Sequence, residues 1–356
     1  VTGQQAALTD ERIGALITML DVDDLHQAVK GVRYTERTVT THDGVALAVR
    51  EYGSRTSADH TVVLLHGLCL DQTSWDVALR PLLRRWGRKV RVITYDHRGH
   101  GRSGHAPIRT YRIDQAASDL ADVLAALDVT GPLTLAGHSM GGMIALTYLS
   151  RPASQRPADP VGLVLVATAA GKLTERGMGR LLATPAVRML CGLAHHVRLD
   201  AAERVIRAVA PAVCAAVARA GDFGDDERTT FLSTSARVIG RTSLTTAAGF
   251  LTSMRDYDVY GALGAICAQT TVISGELDVM TPPSHAYDMA EAIPGATHSH
   301  VAAAGHMLLH EAPDVVNAAI ADAITTESIL GADRDLDDLD SAAVAAFGLG
   351  STVRAA

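Results

Sequence analysis

Positive charge is in short supply. The chain of 356 residues carries 32 Lys and Arg against 39 Asp and Glu, a formal net charge of −7. The basic field that a nucleic-acid partner requires is therefore missing. Only Lys30, Lys89 and Lys172 among the basic residues are lysines, a compositional bias with no mechanistic content. Cysteine is scarce too. Cys69, Cys191, Cys214 and Cys267 are too far apart for a C-x-x-C motif and too few for a disulfide scaffold, so reduced thiols are expected. Long apolar runs are absent although mean hydropathy is +0.14. The longest charge-free stretch, Val129 to Ser150, is broken by Gly, Pro, Ser, Thr and His, and no integral membrane segment is read there. Val1 to Asp10 lacks the basic and apolar regions of a secretory signal, which makes a cytoplasmic location the default expectation.

Metal motifs are missing as well. The acidic run Asp333, Asp335, Asp337, Asp338, Asp340 would need Gly at position six and a carboxylate at position twelve to form a calcium loop, but Asp338 and Val344 stand there. His195-His196 has no partners at metal-ligand spacing, and His306/His310 form no H-E-x-x-H. Neither a metal nor a cofactor is expected.

What remains is a rhythm of short apolar runs and helical stripes. Val32 to Tyr52 holds two strand-like runs around Asp43-Gly44, a dipeptide suited to a hairpin turn. Six further runs follow: Val62 to Leu65, Val90 to Tyr95, Leu133 to Ala136, Val161 to Val166, Thr271 to Ser274 and Thr297 to Val301. Helical patterns lie between them, the clearest being Ile113, Ala117, Leu120, Leu124 and Leu127. Such alternation predicts an α/β fold with a mostly parallel sheet covered on both faces. Between Val166 and Thr271 the patterns are helical only (Leu181/Leu182, Met189/Leu190, Val205/Ile206/Val209, Phe250/Leu251/Met254), which reads as an inserted cap.

The resulting division is an N-terminal helical extension over 1–31, a core over 32–168 and 266–326, a helical cap over 169–265 and an acidic, flexible tail over 327–356. The N-terminal helix, with Ile13, Leu16, Ile17 and Leu20 on one face, is expected to dock on its own domain. A membrane or homodimer contact is the alternative.

The sharpest chemical signal is Gly137-His138-Ser139-Met140-Gly141-Gly142, lying between an apolar strand and a helical run. A G-x-S-x-G turn in that context exposes a serine hydroxyl at the carboxyl end of a sheet. Serine is a weak nucleophile and needs a base held by a carboxylate. Asp278, on the loop after Thr271 to Ser274, and His306, just past Thr297 to Val301, supply them from two further strand ends. Glu276 competes with Asp278, and His298, His300 and His310 compete with His306. The first two histidines lie within a predicted strand and the third in the next helix, so they are read as structural or exposed. Main-chain N–H groups of Met140 and Leu68 are expected to form an oxyanion hole, the latter from the turn Leu65-His66-Gly67-Leu68.

With Asp96-His97-Arg98-Gly99-His100-Gly101-Arg102-Ser103 and Gly275-Glu276-Leu277-Asp278 added to these motifs, the chain resembles the α/β-hydrolase superfamily over about residues 32–325. The resemblance implies an eight-stranded sheet, a lid after the sixth strand, and Ser139, His306 and Asp278 as the catalytic triad. It makes Asp96 to Ser103 a structural turn. Members with an Asp nucleophile are set aside because Ser139 occupies that place. His138 is expected to face away from the reacting centre. The expected activity is hydrolysis of a small or medium apolar carboxylic ester, with a small-molecule acyl substrate as the partner. The rivals are a carbon–carbon bond hydrolase of the ring-cleavage type, a cofactor-free perhydrolase or haloperoxidase, and a ligand receptor on a hydrolase scaffold.

Overall fold

Along Val62, Val63, Leu64 and Leu65 successive side chains enter two different cores, as the two-residue period of a strand dictates when both faces are covered. The computed structural model describes residues 33–185, 189 and 242–325. Its strands are β1 (Thr35–Thr40), β2 (Ala46–Tyr52), β3 (His60–Leu65), β4 (Val90–Tyr95), β5 (Leu133–His138), β6 (Gly162–Val166), β7 (Gln269–Gly275) and β8 (Thr297–Val301). They form one sheet in the order β1-β2-β4-β3-β5-β6-β7-β8, antiparallel at β1-β2 and β2-β4 and parallel elsewhere. The expected α/β architecture and every expected strand are therefore present, the six runs after the hairpin with ends displaced by no more than two residues.

The described helices are α1 (Asp76–Trp86), α2 (Ile113–Ala126), α3 (Met140–Leu149), α4 (Leu244–Arg255), α5 (Tyr260–Leu263), α6 (Pro283–Ala292), α7 (Leu308–Glu311) and a last one over 313–325. One core joins Val63, Leu65, Ile93, Leu135 and Leu165 to α2, α3 and Met289 of α6. The other joins Val62, Leu64, Val92, Val164 and Val166 to α1 and to Leu308, Val316 and Ile320. Phe250 and Met254 of α4 are buried in the first core, so the stretch around α4 packs on the main body. Met178 N–H donates to Val279 O at 2.8 Å and Arg176 pairs with Asp288 at 2.7 Å, which ties the chain after β6 to the loop after β7 and to α6. Leu190, Val205, Ile206 and Val209 lie outside the described residues, as do the N-terminal helix and the acidic tail.

The Asp43-Gly44 turn spans five residues: Thr41 N–H bonds Val45 O, Gly44 N–H bonds Thr41 O, and Gly44 takes φ +88°. Asp43 has a second task. Fully buried Arg98 reaches Asp119 of α2 at 2.6 and 2.5 Å and Asp43 at 3.0 and 3.0 Å. Both carboxylates meet the planar guanidinium through paired bonds, the geometry in which a buried charge is best compensated. Asp96 completes the turn after β4 by accepting from the backbone N–H of Gln72 and Arg102.

Asp76, at the start of α1, is 3% exposed, and burial pushes its carboxyl up to about 7 against the opposing pull of Arg50. The unfolded carboxyl titrates near 3.9. Between about pH 4 and 7 the folded chain therefore keeps a proton that the unfolded chain has lost, and stability falls as pH rises through that window. Asp76→Asn is expected to be about 1–3 kcal/mol more stable than the parent at pH 8, with the gain shrinking towards pH 4. Urea unfolding at both pH values checks this; a gain independent of pH would contradict it.

Candidate active site

Gly137, Gly141 and Gly142 let three segments meet at backbone distance. A Cβ on Gly141 would lie 2.2 Å from Leu65 O, one on Gly137 2.5 Å from the Gly141 carbonyl group, and one on Gly142 2.6 Å from Thr168. With β5 passing straight into α3 under that crowding, Ser139 takes φ +53°, ψ −117°, a conformation costly for any residue but glycine. Thr168 Oγ1 donates to Ser139 O at 2.6 Å and Ser139 N–H donates to Val166 O at 2.9 Å, pinning the strained residue from β6.

The loops after β7 and β8 then bring two more side chains to the hydroxyl. His306 Nε2 is 3.0 Å from Ser139 Oγ, and His306 Nδ1 is 2.8 Å from Asp278 Oδ2. An ionised carboxylate only accepts, so Nδ1 carries the imidazole proton and Nε2 presents its lone pair to the serine. The Asp278 side chain is wholly buried and that of His306 is 13% exposed. Asp278 is satisfied at both oxygens: Oδ1 accepts from the N–H groups of Met280 and Thr281 at 2.8 and 2.9 Å, and Oδ2 also accepts from Thr281 Oγ1 at 2.9 Å.

The two loops are fastened to each other. Leu277 N–H donates to Ala304 O and Glu276 N–H to Val301 O, while a Cβ on Gly275 would strike the carbonyl oxygens of Ala304 and Gly305 at 2.4 Å. The competitors are elsewhere. Glu276 Oε2 accepts from Ala303 N–H, and Ser274 Oγ lies 2.8 Å from His298 Nε2 and 3.4 Å from His300 Nδ1. His310 sits in α7.

The turn after β3 is held by buried histidines. His66 Nδ1–H donates to Gly67 O, its Nε2 accepts from His97 N–H, and His100 Nε2 accepts from Cys69 N–H at 3.1 Å. Burial pushes His100 down to about 3, so it stays neutral and keeps the lone pair that this bond needs. Cys69 takes φ +61°. Among the described residues neither Leu68 N–H nor Met140 N–H has an acceptor.

With this geometry in view, comparison with known proteins is informative. Residues 62–319 match the model of the alpha/beta hydrolase family. The chain belongs to that family. This alpha/beta hydrolase is 44% identical over 92 residues to the sn-1-specific diacylglycerol lipase ABHD11 of Danio rerio, a match covering 26% of the chain and 27% of the relative. It is 36% identical over 124 residues to the non-heme chloroperoxidase of Streptomyces lividans, covering 35% and 42%. The chain thus spans less than half the length of these two curated relatives. Among solved structures, a thermophilic esterase from Thermogutta terrifontis superposes with a TM-score of 0.58 at 25% identity, covering 83% of this chain and 98% of that one.

Three contributions to the site go beyond the residues picked out from the sequence. Thr281 has a local signal, a Thr three residues after Asp278 and just before Pro282-Pro283, the pattern of a side-chain-capped turn. Thr168 has none, because its partner is distant in the chain, and the histidines around His66 lie in motifs that the sequence marked without showing that they bond one another's loops. Gly141→Ala is expected to cost about 2–4 kcal/mol, since the clash is with backbone that cannot swing aside. Chemical denaturation of that variant measures it, and a loss below about 0.5 kcal/mol would refute the close approach.

Proposed function

We propose that this alpha/beta hydrolase is a serine hydrolase that cleaves a small or medium apolar carboxylic ester through an acyl-enzyme. The observation that carries the reading is the unbroken line Asp278 Oδ2, His306 Nδ1, His306 Nε2, Ser139 Oγ at 2.8 and 3.0 Å. In it His306 Nε2 takes the Ser139 proton as Oγ bonds to the acyl carbon, and the negative charge moves to the carbonyl oxygen. Leu68 and Met140 N–H groups receive that charge, one donor of this kind being worth about 10²–10³ in turnover. The tetrahedral species collapses as the leaving alcohol takes the proton from His306. Water then attacks the acyl group with His306 again as base, releasing the acid and restoring the hydroxyl. Asp278 keeps the imidazole in the required tautomer and stabilises its cation.

The ester preference rests on the lipase and esterase among the relatives and on the apolar content of 169–265, which we read as the cap. A second reading has specific support in the chloroperoxidase relative and in a bifunctional esterase/perhydrolase of Acinetobacter calcoaceticus, 33% identical over 136 residues. The same acyl-enzyme attacked by hydrogen peroxide instead of water would yield a peracid and free Ser139.

A fluorophosphonate probe is expected to label Ser139, and Ser139→Ala to lose both labelling and at least about 10⁴-fold in p-nitrophenyl ester turnover while keeping its thermal midpoint. Undiminished turnover in that variant would remove the nucleophile assignment. Adding peroxide to the parent separates the two readings by whether peracid accumulates.

A further inference from the structure

The backbone around His306 is tied down by two side chains outside the Asp278, His306, Ser139 line. Glu311, from α7, accepts from Gly305 N–H at 2.5 Å through one oxygen and from Met307 N–H at 2.9 Å through the other. These are the amides of the residues on either side of His306. His138 Nε2 lies 2.9 Å from the carbonyl oxygen of His306 itself. A carbonyl accepts only, so this ring nitrogen carries the proton.

Three consecutive residues, 305, 306 and 307, thus each have one main-chain group held by a side chain. Rotation about the His306 backbone would carry Nε2 away from Ser139, and it would have to break at least one of these bonds. The loop needs such support, because Ala303 just before it takes φ +57°, a region where alanine is strained. The His138 ring also lies beside the imidazole it supports, with centroids 5.1 Å apart. It has room because Gly67 lacks a side chain: a Cβ there would be 2.9 Å from His138 Nδ1. That nitrogen is buried without a partner, the cost of aiming the other one at His306 O. Burial pushes His138 down to about 3, the neighbouring His306 adding to the effect, so the ring stays neutral and adds no positive charge beneath the base.

We propose that Glu311 and His138 are positioning residues that hold the His306 imidazole at bonding distance from Ser139, the first through the amides flanking His306 and the second through its carbonyl. The inference rests on the hydrolase reading above. Neither residue is assigned a bond to the substrate. Their effect belongs to the approach of base to nucleophile, where a misplacement of about 1 Å can cost about 10²-fold.

The chemistry of each clamp supplies its own control. Glu311→Gln keeps shape but turns one acceptor into an NH₂ donor facing an amide donor, so one of the two bonds is lost. His138→Leu removes the N–H, whereas His138→Gln returns an N–H near the position of Nε2. Glu311→Gln and His138→Leu are expected to lower kcat on a p-nitrophenyl ester by about 10–100-fold with KM within about two-fold, and His138→Gln to recover most of the loss. The downfield proton NMR signal of His306 Nδ1–H should shift or broaden in the first two variants and return in the third. Unchanged kcat per folded molecule together with an unmoved signal would overturn the proposal, even if the thermal midpoint falls, because a purely structural clamp does only that. Should Glu311→Gln fail to fold, the His138 pair decides on the same readouts. Absence of esterase activity and of Ser139 labelling in the parent would instead defeat the hydrolase reading, and the NMR signal would still show whether the clamps orient His306.

Discussion

The backbone of α3 lies against the end of β3 with no side chain between them, and the rest of the site is built on that contact. Gly141 sits over the Leu65 carbonyl so closely that a single methyl group would reach within 2.2 Å of the oxygen. The chain can leave β5, reverse direction and start α3 in this space only if Ser139 takes a left-handed φ. The strain serves a purpose, since the same turn lifts Oγ above the sheet edge and leaves the first N–H of α3 without an intrahelical acceptor. Thr168 and Val166 hold the residue from the neighbouring strand, so packing of the sheet supplies the energy that keeps the turn strained.

Around this turn the protein uses neutral imidazoles and one buried carboxylate as rigid fittings. His66 and His100 fasten the turn after β3, where bonding of Cys69 N–H to His100 uses up the neighbouring donor and leaves that of Leu68 open. His138 does the corresponding work under the loop after β8. Each ring is buried, and burial disfavours the cation, so each keeps one donor and one acceptor nitrogen in a fixed sense. Asp278 is the opposite case. It is buried as an acceptor for two N–H groups, one hydroxyl and one imidazole, and four donors around two oxygens compensate a charge that would otherwise be expensive there.

Much of this was legible in the chain. The elbow glycines, the strand before them and the helix after them fall within ten residues of Ser139, so local sequence carries both the motif and its context. The central strands announced themselves because a sheet covered on both faces requires largely apolar runs, and Val90 to Tyr95, buried throughout, appears in the structure with the expected ends. In the chain Glu276 stood as the competitor of Asp278, and it is the fold that sets Asp278 rather than Glu276 at 2.8 Å from His306 Nδ1. Less legible was the pairing of Asp43 with Arg98, which lies 55 residues away.

By itself the sequence determined the alternation of strands and helices and the sharp turn at Ser139, because each depends on residues a few positions apart, and it placed alcohol, carboxylate and imidazole each just after its own strand. Tertiary structure alone decided which backbone groups hold those side chains still. The bond from His138 to His306 spans 168 positions, and that from Thr168 to Ser139 spans 29. Such bonds depend on strands β5, β6 and β8 ending on the same edge of the sheet, and no local pattern encodes a distance between strand ends.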